Sequence, residues 1–150
     1  MRKKFTYQMY LNFGRKSSLK VVEAYRAKYE GIDKILSENP AILGTAHRGI
    51  SRKLSESSHG RSAKYTSDEI LRALIVMFIE GDSYRDVVVR IENSEFLRDF
   101  VGLGGKPMMD FTFLSRAFGS LSSLTWSRIN KHLSTYAIAE KKLSGEQLRV

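Results

Sequence analysis

Apolar residues recur three and four positions apart along most of this chain, which places them on one face of successive helices rather than on the alternating faces of strands. Val22, Tyr25, Tyr29, Ile32 and Leu36 form the first such series, with Ser17 or Ser18 positioned to cap its start. Asn39-Pro40 then reads as a helix start, Asn at the cap and Pro pre-set for the first turn, followed by Leu43, Ala46, Ile50 and Leu54 on one face. Arg48, Arg52 and Lys53 fall off that face. The Ser-rich stretch 55–64 has no periodicity and reads as a linker.

Beyond the linker, Thr66-Ser-Asp-Glu69 has the form of a capping box, in which hydroxyl and carboxylate each satisfy a free backbone N–H. The helix it opens carries Ile70, Leu71, Leu74, Ile75, Phe78 and Ile79 as a stripe, widened by Val76 and Met77, so it should lie at the centre of the fold. Gly81 should end it. Ser83 opens another helix with Tyr84, Val87, Val88 and Ile91 inward, and Glu95 to Val101 forms a short third piece. Gly102 to Pro107 breaks the chain, Asp110 caps Phe111 to Leu121, and Ser122 or Ser123 opens a last helix with Trp126, Ile129, Leu133 and Tyr136. The expected class is all-α, a helix-turn-helix-like helical bundle with a basic N-terminal helical arm.

Charge changes this picture by dividing the chain. Residues 1–64 hold fourteen Lys and Arg against five Asp and Glu, whereas residues 65–150 hold eleven of each, so the whole net charge of +9 belongs to the first segment. A basic segment joined to a neutral one points to a polyanion-binding part attached to a part with another task. The absence of cysteine excludes disulfides, thiolate metal sites and a cysteine nucleophile. No apolar run approaches the roughly 20 residues needed to span a bilayer, and the basic start lacks a signal-peptide core. The expected location is therefore cytoplasmic, without a membrane partner.

Four local motifs keep a fixed order: Tyr65-Thr-Ser-Asp-Glu-Ile-Leu-Arg-Ala-Leu74, Ser83-Tyr-Arg-Asp86, Phe96-Leu-Arg-Asp-Phe-Val-Gly-Leu103, and Pro107-Met-Met-Asp-Phe-Thr-Phe-Leu-Ser-Arg-Ala-Phe118. In this order they resemble the N-terminal domain of DDE-class insertion-sequence transposases of the InsH-like kind, over about residues 65–150. The resemblance implies a helical domain that holds the element's terminal repeats, with Phe100, Gly102, Leu103, Pro107, Asp110, Thr112, Arg116 and Phe118 at the motif positions. One departure is visible: Met108 and Met109 stand between Pro107 and Asp110, where the family commonly has Pro directly before Asp. The resemblance also implies that Leu148-Arg-Val150 begins the first strand of a ribonuclease-H-like catalytic domain. Its three carboxylates, holding divalent metal such as magnesium, would follow beyond this chain. On that reading residues 1–64 are a basic arm with helices and a linker, 65–147 the helical DNA-binding domain, and 148–150 the threshold of catalysis.

The residues offer no catalytic set and no cofactor site of their own. Asp82, Asp86, Glu92, Glu95 and Asp99 alternate with Arg85, Arg90 and Arg98, as ion-paired surfaces do. His47, His59 and His132 lack the spacing of a zinc site. For double-stranded DNA, Arg2, Lys3, Lys4, Arg15, Lys16, Arg48, Arg52 and Lys53 are candidates to neutralise phosphates. Singly, each is an ordinary surface charge; the segment's excess is what points to DNA. Ser115 and Arg116 are candidates to reach a base edge, and Thr112 a backbone phosphate. Trp126 and the Tyr and Phe residues sit at core spacing rather than as stacking platforms. Two other readings stay open: a regulator of transposition that occupies element ends without cutting, and a helical protein-interaction module. Self-association into a homo-oligomer is open under all three.

Overall fold

The computed structural model describes Lys4, residues 19–54 and residues 64–139, with the side chains of 53, 54, 133, 134 and 136–139 left aside. The described residues form seven helices and no strand: α1 (Lys20–Glu38), α2 (Pro40–Leu54), α3 (Ser67–Glu80), α4 (Tyr84–Glu92), α5 (Glu95–Val101), α6 (Phe111–Ser120) and α7 (Ser123–Ala139). The all-α expectation holds. Residues 55–63 of the linker and the strand expected at Leu148–Val150 lie outside the described residues.

Local chemistry sets most of the boundaries. Ser17 and Ser18 lie outside the described residues; α1 is entered through Leu19, whose carbonyl accepts from Val22 and Glu23 but whose side chain supplies no cap. The helix stops at Asn39 because the residue before a proline is pushed out of the helical region, here to φ −128° and ψ 70°. Pro40 opens α2 as its spacing predicts. Asn39, however, turns its amide back to donate to the Ile35 carbonyl at 2.8 Å, so its side chain closes α1 rather than capping α2.

The capping box of α3 is complete: the Glu69 N–H donates to Thr66 Oγ1 at 3.1 Å, and the Thr66 N–H donates to Glu69 Oε2 at 3.0 Å. Gly81 ends α3 in the left-handed conformation, φ 68°, and both its N–H and that of Asp82 return to the Met77 carbonyl. Ser83, Ser94 and Asp110 each cap the helix that follows through a side-chain oxygen.

Helix α3 is the centre, packed by α2, α4, α5 and α6, and α2 in turn bridges α1, α3, α6 and α7. Ile70, Leu71, Ala73, Leu74 and Val76 are fully buried. At about 1.5–3 kcal/mol for each large aliphatic side chain, this helix contributes much of the favourable burial. Two details differ from the sequence expectation. Phe78 faces outward, packing edge-on against Phe118 and Trp126, while Val76 and Met77 lie deeper. In α2 it is Ile42, not Leu43, that is fully buried beside Ala46 and Ile50. Tyr29, Leu36, Ile42, Ala46 and Ile50 belong to the same core as the residues after position 64, so the charge boundary is not a packing boundary.

Buried polar groups tie the layers together. Arg72 bonds Asp68 on its own helix, Asp33 of α1 at 2.7 Å and the Phe100 carbonyl at the end of α5 at 3.0 Å. Tyr25 and Tyr29 of α1 both donate to Glu80 at the end of α3, at 2.8 and 2.6 Å. Lys106 reaches Glu69 at 2.6 Å and so pins the long turn before α6 to the start of α3. The departure at Met108 and Met109 is absorbed by packing: both side chains are buried, and the Met108 N–H donates to Glu92 Oε2 at 2.9 Å.

Candidate nucleic-acid interface

The structure separates its cations into neutralised and unneutralised groups. Arg72, Arg90, Arg98 and Lys106 each meet a carboxylate within 4 Å: Asp33 and Asp68, Asp82 and Glu80, Glu92, and Glu69 respectively. The ion pairing expected around Asp82, Glu92, Arg90 and Arg98 is therefore present, while Arg85 lies over the Phe111 ring instead. The Asp82 carboxyl is held below its ordinary range by its hydrogen bonds from Arg90. At Glu80, burial pushes the carboxyl up. The bonds from Tyr29 and Tyr25 and the charges of Arg90 and Lys28 outweigh it, leaving the group below its usual value.

Among the described residues Arg48 and Arg52 do not follow that pattern, nor do Arg116 and Arg128. Arg48 and Arg52 are exposed, one helical turn apart on the outer side of α2, and among the described residues neither has a carboxylate within salt-bridge distance. Among the described residues the Arg48 guanidinium donates to Thr45 Oγ1, at 3.3 Å. Together with Arg128 of α7 they line a recess of about 270 Å³ between α2 and the joint of α6 with α7. Ser122 and Thr125 complete its rim; their hydroxyls bond each other at 3.0 Å, and the Thr125 N–H donates to Ser122 Oγ in the cap of α7.

Glycine makes this meeting of helices feasible. A Cβ on Gly49 would lie 3.1 Å from Leu121 Cδ2, 3.5 Å from the Ser120 carbonyl oxygen and 3.7 Å from Thr125 Oγ1. Even an alanine there would need the Leu121 side chain to give by a few tenths of an ångström, and a larger side chain would crowd the joint further.

The remaining candidates are dispersed. Lys4 is exposed, but its carbonyl accepts from the Asp68 N–H at 3.1 Å and its ammonium lies against α2 near Gly44, so this point of the arm is docked on the helices. Arg2, Lys3, Arg15 and Lys16 lie outside the described residues, as does the side chain of Lys53. Thr112, Ser115 and Arg116 are all exposed and share the outer face of α6, opposite the buried Leu114 and Ala117. The Thr112 N–H already donates to Asp110 Oδ2 at 3.2 Å. That carboxylate satisfies the positive end of α6 and would repel a phosphate placed there. Arg116 is thus the one charged group among these three.

Sequence reasoning missed Arg128, Ser122 and Thr125. Nothing in their spacing links them to Arg48, since the link is made only by packing α7 across α2. The aromatic side chains pack among themselves, with Phe78, Phe118 and Trp126 in one cluster and Tyr25, Tyr29, Phe96 and Phe100 in another. Among the described residues there is no group of three metal-ligating side chains, and no helix is long and apolar enough to cross a membrane. Compared with known proteins, the chain finds no match among family models, curated proteins or solved structures.

Proposed function

We propose that this chain is a DNA-binding helical module that recognises the terminal repeats of an insertion sequence, working in the cytoplasm as the end-binding portion of a DDE-class transposase. The order of motifs between Tyr65 and Phe118 supports the family reading. The observation that carries DNA binding is a grouping of charge: Arg48 and Arg52 of the basic segment are exposed a helical turn apart, and among the described residues neither has a carboxylate within salt-bridge distance. Unmatched guanidinium groups on a rigid helix are what backbone-phosphate contact requires, because each contact releases condensed counterions from the duplex. Arg116, exposed on the outer face of α6, supplies a charged group suited to a guanine edge.

A salt titration of the full chain against an element-end duplex and a scrambled duplex tests this reading. Binding should favour the end sequence and weaken steeply with salt. The double variant Arg48→Gln/Arg52→Gln should flatten the log–log slope by about two, at roughly 0.9 per lost phosphate contact. Absence of binding to either duplex at moderate salt would remove the DNA reading.

A further inference from the structure

We propose that the recess between α2 and α7 is a discrete phosphate site that seats a single phosphodiester of a nucleic-acid backbone, held by Arg48, Arg52 and Arg128. The proposal rests on the DNA-binding reading and deepens it by placing the backbone at a particular point of the surface, one that includes a residue no sequence motif marks.

Three guanidinium groups line one concavity, and among the described residues no carboxylate lines it with them. The concavity thus gathers three guanidinium charges. Like charges gathered on a concave wall repel one another, and an anion that accepts from several of them at once relieves that repulsion. The neutral groups present are suited to the same guest: the Ser122 and Thr125 hydroxyls stand at the rim, at the N-terminal end of the 17-residue α7, whose dipole adds partial positive charge. A volume of about 270 Å³ exceeds the needs of a bare halide and leaves room for a phosphate with part of its flanking sugars.

The recess is also built rather than incidental. Gly49 sits between Arg48 and Arg52, and its missing side chain lets α2 close on Leu121 and Thr125, which brings Arg128 to the same volume. A planar guanidinium fork pairs with phosphate oxygens two at a time, so a site of three arginines selects a tetrahedral oxyanion over chloride. The backbone source is favoured over a free phosphate because the recess opens to solvent, and because Arg48 and Arg52 belong to a segment, residues 1–64, that carries the chain's whole excess of positive charge.

The experiment uses the full chain, wild type, Arg128→Gln and Lys34→Gln. The last removes one positive charge from an exposed position on α1, paired with Glu38 at 4.0 Å and remote from the recess. Inorganic phosphate is titrated calorimetrically at constant ionic strength, and each protein is then salt-titrated against a short duplex. Wild type and Lys34→Gln should take up phosphate saturably at one site. Arg128→Gln should bind it at least about tenfold more weakly and lose about one unit of the DNA salt slope. If phosphate is not bound while the duplex still is, the recess assignment fails and the DNA reading stands. Equal weakening by Lys34→Gln and Arg128→Gln would reduce the effect to net charge and overturn the site. Phosphate uptake without duplex binding would overturn the backbone assignment together with the DNA reading.

Discussion

Glu80 shows how much a single side chain holds in this molecule. It accepts from two tyrosines of α1 and faces Arg90 across the α3–α4 turn, so its charge joins three elements. Replacing it with Gln keeps the size but removes the charge, and should cost about 1–3 kcal/mol, read as a lower urea midpoint. The same contacts make stability depend on pH in two windows. Glu80 and Asp82 titrate below their ordinary values in the fold, so their contribution is complete above the ordinary carboxylate range and is lost as pH falls through the depressed values. Tyr25 moves the other way: burial, then its bond to Glu80, pushes the phenol up to about 12 from 10.0. Its contribution is therefore complete below pH 10 and is lost as pH rises towards 12. Circular dichroism across both limbs should show each one flattened in Glu80→Gln. Gly49 is the second residue on which much turns: Gly49→Leu should destabilise by about 1–3 kcal/mol in thermal unfolding, since Leu121 and the Ser120 carbonyl already occupy the space.

At the level of elements, the sequence was legible wherever a local rule decides the outcome. Thr66, Ser83 and Asp110 cap the helices they precede, Gly81 stops α3, and Pro40 starts α2, because each of these effects acts within one helical turn. Thr66→Ala should accordingly cost about 1 kcal/mol in urea unfolding and should be partly recovered by Thr66→Ser. Where tertiary contact decides, the reading was incomplete. The outward turn of Phe78 is set by Trp126 and Phe118, and the preference for Ile42 over Leu43 by what packs around α2. The side chain of Asn39 had two helix ends to serve, and proline geometry left it nearer the carbonyls of α1. Of the candidate interface, Arg48 and Arg52 were legible because polar positions stand out against an apolar face. Arg128 was not, because its partners come from a distant part of the sequence.

For the whole molecule, the division of charge near residue 64 and the division of packing do not coincide. Helix α2 supplies Ile42, Ala46 and Ile50 to the core that α3, α6 and α7 also build. A piece comprising residues 65–150 alone would expose the apolar surface those residues cover. It should unfold less cooperatively than the full chain and bind more of a hydrophobic dye, measured by calorimetry and by fluorescence. A shorter piece that retained both a sharp melting transition and low dye binding would show that α2 is dispensable. It follows that deletion of the basic segment removes structure as well as charge, and point substitutions are the cleaner way to separate the two.

The recess has one more consequence, which follows from its walls coming from opposite ends of the described chain. Arg48 and Arg128 share a volume only when α2 and α7 are docked, so whatever occupies it is bound by the folded state and not by the unfolded one. Occupancy then acts as a thermodynamic weight on folding, about 2.7 kcal/mol when the ligand stands at a hundred times its dissociation constant. In a cell this would make the chain's lifetime against proteolysis a function of how much of that ligand is within reach: occupied copies would persist while empty ones turned over.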